Sequence, residues 1–213
     1  MKVYIARNGN KERMKAIRNS DLLGLMFNID DHTHYKDPYE GIHAVDNGAF
    51  SAFISGVPWD SATFLNALSK YKTPDFIVIP DIVAGGKASL RHSRIWRQYL
   101  PDRFTWFLAV QDGLAPTMIP DDLLRKIGGI FVGGSMDWKL RTAEDWINFA
   151  HGRGLKAHVG RIGTLQGLLN MQRKQADSVD SSNYTQNKRN WRELMQWHSG
   201  EHKPLEAYPI AEG

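Results

Sequence analysis

The chain has 213 residues, 42% of them hydrophobic, enough to bury one sizeable core, and it contains no cysteine. Disulfides and thiolate metal sites are therefore excluded, and a formal net charge of +4 permits a polyanionic partner without demanding one. No apolar run reaches the length of a membrane span, so no membrane partner, a single domain over residues 1–213 and a cytoplasmic setting are expected.

In chain order, strand-like runs occupy residues 2–6, 24–29, 43–46, 75–80, 105–111, 129–133, 156–160 and 177–181. The first of them, Lys2-Val3-Tyr4-Ile5-Ala6, reads as a strand rather than a signal peptide. Helical stretches alternate with the strands at residues 10–18, 60–71, 87–99, 121–126, 142–153 and 164–174, with a last helix at 189–198. Asp60, Thr142 and Pro120 mark helix starts, and Gly154 marks a stop before the seventh strand. Residues 30–41 and 180–188 read as polar loops. Apolar runs between amphipathic stretches are the pattern of buried parallel strands, and eight of them predict closure into a compact TIM-like (β/α)8 barrel, an α/β fold. Such barrels typically need about 250 residues, so short loops are expected.

Six of these runs end in a polar, charged or Gly-Gly position: Asp46, Asp81, Gln111, Gly133-Gly134, Arg161 and Asp180. In a barrel the carboxyl ends of the strands converge on one mouth, where chemistry occurs. Strict alternation groups Asp81 with Ile77 and Ile79, Gln111 with Phe107 and Ala109, and Asp180 with Ser178; Asp177 and Val179 then point to the barrel exterior. Two carboxylates in one pocket are the minimal equipment for breaking a glycosidic bond. A third carboxylate with an amide and glycine backbone suits the donor-rich edge of guanine.

Five segments, in order, carry a resemblance. Asp46-Asn47-Gly48-Ala49-Phe50 resembles the Asp-Ser-Gly-Gly-Phe motif of tRNA-guanine transglycosylases, and Val110-Gln111-Asp112-Gly113 is similar to their Val-Gln-Gly-Gly. Val132-Gly133-Gly134-Ser135 resembles their glycine-rich guanine-binding turn. Val159-Gly160-Arg161-Ile162-Gly163-Thr164 is similar to their Met-Gly-Val-Gly-Thr, and Asp177-Ser178-Val179-Asp180-Ser181 to the element that carries the nucleophile. The resemblance implies a pentosyltransferase that exchanges bases without cofactor. Asp180 is implied as nucleophile and Asp46 as general acid/base, with Asp81, Gln111 and the backbone of Gly133 and Gly134 reading the purine. Arg161 at the mouth is a candidate for a backbone phosphate.

The family's tRNA enzymes carry a carboxy-terminal zinc subdomain built on cysteines, which a cysteine-free chain cannot form. Asn47 and Ala49 also depart from the family's Ser and Gly. Length, lack of zinc ligands and the Ser181-Ser182-Asn183-Tyr184 continuation resemble more closely the small, phage-typical members that place 7-deazaguanine into DNA. The implied partners are DNA with an extruded guanosine and a free 7-deazaguanine base.

Three other readings remain open: the same exchange on tRNA, a non-catalytic nucleic-acid-binding barrel, and a metal-dependent hydrolase. The last rests on Asp30-Asp31-His32-Thr33-His34, because a His-x-His after a barrel strand begins some metal sites. Later strand ends offer Gln111 and Gly133 where further ligands would be needed, so no metal is expected. Lys87, Arg91 and Arg94 share one helix face, a solvated surface or a nucleic-acid track. Seven tryptophans, several beside basic residues, read mainly as helix positions packing on the sheet.

Overall fold

The computed structural model describes residues 1–29 and 39–202. It is a closed parallel barrel of β1 (Lys2–Ala6), β2 (Leu23–Asn28), β3 (His43–Asp46), β4 (Ile77–Val78), β5 (Trp106–Val110), β6 (Gly129–Val132), β7 (Lys156–Val159) and β8 (Ser178–Ser181). Each strand pairs with the next in sequence, and β1 closes the ring on β8 with Tyr4 opposite Asp180. The helices are α1 (Lys11–Arg18), α2 (Ala49–Ser55), α3 (Ser61–Leu68), α4 (Lys87–Trp96), α5 (Asp121–Leu124), α6 (Met136–His151), α7 (Leu165–Arg173), α8 (Asn183–Gln186) and α9 (Lys188–Ser199). Among the described residues no helix is long and apolar enough to cross a membrane.

Strand alternation divides the apolar residues into two layers. Tyr4, Ala44, Phe76, Val78, Phe107 and Ala109 fill the barrel, with Phe76 and Phe107 stacked 4.1 Å apart. Val3, Val45, Ile77, Ile79, Leu108, Val110, Val132, Val159 and Val179 belong to the larger core packed under the helices. All seven tryptophans join that larger core, three of them buried and four partly buried.

Several boundaries differ from the sequence expectation, each for a local reason. β4 is reduced to two residues because Pro74 and Pro80 flank the run and proline cannot donate to a ladder. α6 begins at Met136, six residues before Thr142: the Ser135 hydroxyl caps it by accepting from the Trp138 N–H. Thr142 sits inside the helix, its hydroxyl donating to the Trp138 carbonyl. α2 follows β3 almost directly in a segment with no charged residue, bounded by left-handed Gly48 (φ 81°) and Gly56 (φ 66°). The stretch 180–188, expected as a loop, contains the end of β8 and the single turn α8. Asp30-Asp31-His32-Thr33-His34 lies outside the described residues.

Candidate active site at the barrel mouth

A cavity of about 730 Å³ opens at the carboxyl ends of the strands, and Asp46, Asp81, Gln111, Gly133, Gly134, Arg161 and Asp180 all line it. Asp46 is the last residue of β3 and Asp180 the third of β8. Gln111, Gly133 and Arg161 follow β5, β6 and β7 within two residues. Asp177 lies elsewhere, bonded at Oδ2 by His151 and the Ala157 N–H.

Asp81 reaches the cavity by an unexpected route. Its partners in alternation, Ile77 and Ile79, face the helices, so an uninterrupted strand would turn Asp81 away from the mouth. The ladder stops at Val78, and the chain beyond Pro80 leaves the alternation. Asn47 Nδ2 donates to Asp81 Oδ1 (2.9 Å), and Gln111 Nε2 approaches Asp81 Oδ2 (3.3 Å) while donating to the Ile82 carbonyl (2.8 Å). Both amide protons of Gln111 are thus engaged within the protein, leaving Oε1 to accept.

The three carboxylates sit in different environments. Burial pushes Asp46 up from 3.8 to about 7, with the charges of Asp81 and Asp180 adding to it and the Gly48 N–H at 2.8 Å opposing it. Burial likewise raises Asp81, against the Asn47 amide and the positive field of His92. Asp180 accepts at Oδ1 from His158 Nε2 (2.9 Å) and from the Arg161 N–H (3.3 Å). A carboxyl that holds its proton near neutrality beside a second, hydrogen-bonded carboxylate is a pairing suited to acid/base work with a nucleophile.

The rim is built on two special backbone positions. Gly134 has φ +74°, and a Cβ there would lie 2.5 Å from Asp112 Oδ2 and 2.8 Å from the Trp138 ring. Asp112 accepts from both the Ser135 N–H (2.7 Å) and its hydroxyl (2.5 Å), tying the β5 loop to the start of α6. Arg161 also adopts a left-handed backbone (φ 60°). Its guanidinium donates to the Gly134 carbonyl and lies 4.8 Å over the Phe50 ring.

Sequence reasoning did not assign roles to Asn47, His158 and Lys139. Lys139 is wholly buried on α6 and donates to the Gly160 carbonyl; burial and then the charge of Arg161 lower it from 10.5 to about 8. His158 is wholly buried on the interior face of β7. A lone polar residue in an apolar strand carries no signal of its partner, since that partner is set by barrel closure. On the outer surface, Arg94 pairs with Asp122 (2.9 Å), while Lys87 and Arg91 are exposed. Among the described residues no group of three or more His, Asp or Glu could hold a metal ion. The chain matches no protein-family model and no curated protein sequence, so its function must be argued from the site itself.

Proposed function

We propose that this chain is a guanine transglycosylase that exchanges guanine in DNA for a free 7-deazaguanine base through a covalent glycosyl-aspartate. The observation that carries the reading is the convergence of Asp46, Asp81, Asp180 and Gln111 on one cavity, with Asp46 pushed up to about 7. Asp180 Oδ2, which has no partner among the described residues, attacks C1′ of an extruded deoxyguanosine. The C1′–N9 electron pair leaves with guanine, which takes its proton from Asp46. In the second half, the incoming base returns that proton to Asp46 as its nitrogen attacks C1′ and releases the Asp180 carboxylate. No net proton or cofactor is consumed.

Base reading divides between acceptors and a donor. Gln111 Oε1 and the remaining lone pairs of Asp81 accept from the N1–H and N2–H₂ groups, and the Gly134 N–H, unpaired among the described residues, donates to O6. Extrusion costs a few kilocalories per mole, offset by base contacts and by phosphate neutralisation at Arg161. Such substrates place the enzyme in the cytoplasm of a bacterial or phage-infected cell.

The test is incubation with guanine-labelled DNA and a 7-deazaguanine base. Label release together with a denaturant-stable protein–DNA adduct that vanishes in Asp180→Ala is the expected result. Release from tRNA but not DNA would move the substrate and keep the chemistry. Release without any adduct, or an adduct that survives Asp180→Ala, would remove the glycosyl-aspartate.

A further inference from the structure

His158 lies in an aromatic box inside the barrel. Its ring stacks on Phe131 with centroids 4.6 Å apart and planes 24° apart, and Phe76 and Tyr4 stand at 5.1 and 5.9 Å. Nδ1 is 2.9 Å from Ser178 Oγ and Nε2 is 2.9 Å from Asp180 Oδ1. A carboxylate can only accept, whereas a hydroxyl can donate or accept. With Asp180 ionised, as a nucleophile must be, Nε2 is the nitrogen that donates, and Ser178 adapts to whatever Nδ1 requires. The second donor to Asp180, the Arg161 N–H, meets the same oxygen, so Oδ1 is held from two sides while Oδ2 is left to the cavity. Satisfying a buried imidazole does not require this convergence on one oxygen of a cavity-lining carboxylate.

We propose that His158 is a positioning residue for Asp180, holding Oδ1 so that Oδ2 is the atom that bonds to the anomeric carbon. The inference rests on the base-exchange reading. When Oδ2 gives its electron pair to C1′ and the base departs with the C1′–N9 pair, Oδ1 becomes the carbonyl oxygen of the ester. When the incoming base displaces the ester, the C1′–Oδ2 pair returns to Asp180 and half of the regained charge resides on Oδ1. There the His158 and Arg161 N–H groups are already in place, and donors preset at a developing charge need no reorganisation.

His158→Phe retains the stack and removes the donor, whereas His158→Gln returns an N–H near the Nε2 position. In the labelled-guanine exchange assay on DNA, His158→Phe should lower kcat about 100-fold with KM nearly unchanged, and His158→Gln should recover most of the loss. An equal loss in both variants, or a change confined to KM, overturns the role. Nitrogen-15 NMR of the wild-type imidazole is the second measurement and needs no substrate. A protonated Nε2 whose resonance shifts in Asp180→Asn is expected; a bare Nε2 overturns the role even if every variant is poorly folded. If the wild-type protein exchanges no base on any nucleic acid, the base-exchange reading fails and this role falls with it. If the wild type exchanges base and His158→Phe equals it, the role alone fails.

Discussion

Asn47 Nδ2 is shared between the Ile79 carbonyl, 2.8 Å away, and Asp81 Oδ1, 2.9 Å away. One buried amide on the loop after β3 thus ties down the point where β4 abandons its alternation and holds the carboxylate that follows. Its own Oδ1 accepts from the Ala49 N–H, which fixes the orientation of the amide.

Replacing that amide should therefore uncouple Asp81 from the cavity. Asn47→Leu leaves the Ile79 carbonyl and the Asp81 carboxyl short of a donor and should cost about 2–3 kcal/mol of stability. Urea unfolding at neutral pH measures this, and binding of free guanine to the variant should weaken in parallel. Unchanged unfolding midpoint and unchanged base affinity would remove Asn47 from the recognition network.

The raised Asp46 carboxyl makes stability depend on pH in a defined direction. The folded protein holds this proton until about pH 7, the unfolded chain only to about 3.8. The stabilisation is complete below about pH 4, is lost as pH rises to about 7 and is absent above, amounting to as much as about 4 kcal/mol. Asp46→Asn keeps the acceptor for the Gly48 N–H and has no proton to lose. Its stability relative to wild type should rise across that window and level off above pH 7. Parallel curves for the two proteins would show that Asp46 ionises as freely in the fold as in the unfolded chain.

Gly134 is constrained by its positive φ and by the Asp112 carboxylate and the Trp138 ring, against both of which a Cβ would press. Gly134→Ala should lose about 1–3 kcal/mol of stability, because the nearer obstruction is a carboxylate pinned by two hydrogen bonds to Ser135. Calorimetric melting checks this. A further substitution, Asp112→Ala, should recover part of the loss by vacating the space; no recovery would leave the cost with the backbone and the Trp138 ring.

Among the described residues lining the cavity Arg161 is the one basic side chain. Arg161→Ala should weaken binding of single-stranded DNA, with the slope of log affinity against log salt shallower by about 1. Salt-series fluorescence titration distinguishes this from loss of base recognition, which would weaken binding without altering the slope. An unaltered slope would leave Arg161 only its contacts to Gly134 and Phe50.

Several elements were readable from sequence because their signals are local. β1 and β3 coincide with the runs expected, and Asn10, Asp60 and Thr164 cap α1, α3 and α7 at or beside the expected starts. α2 was missed because Ala49-Phe50-Ser51-Ala52-Phe53-Ile54-Ser55 has neither a side-chain cap nor a charged face. Four of the large apolar side chains on and just after it, Phe50, Phe53, Ile54 and Val57, are exposed, so its pattern does not mark a buried stripe.

The sequence by itself determined eight apolar runs, their order and the polar or Gly-Gly position at the end of six of them, because burial on both faces of a parallel strand leaves a contiguous hydrophobic record. Alternation along a strand also grouped Gln111 with Phe107 and Ala109, and Asp180 with Ser178, on the faces that turn inward. Only the tertiary structure decided that Asp81 joins them, since that depends on where a proline ends a ladder and on an amide from the neighbouring strand end. It alone decided that His158 meets Asp180 and that Lys139 meets Gly160. Those pairs are 22 and 21 residues apart in sequence and become neighbours only when the barrel closes, where desolvation and proximity give the carboxyls their distinct characters.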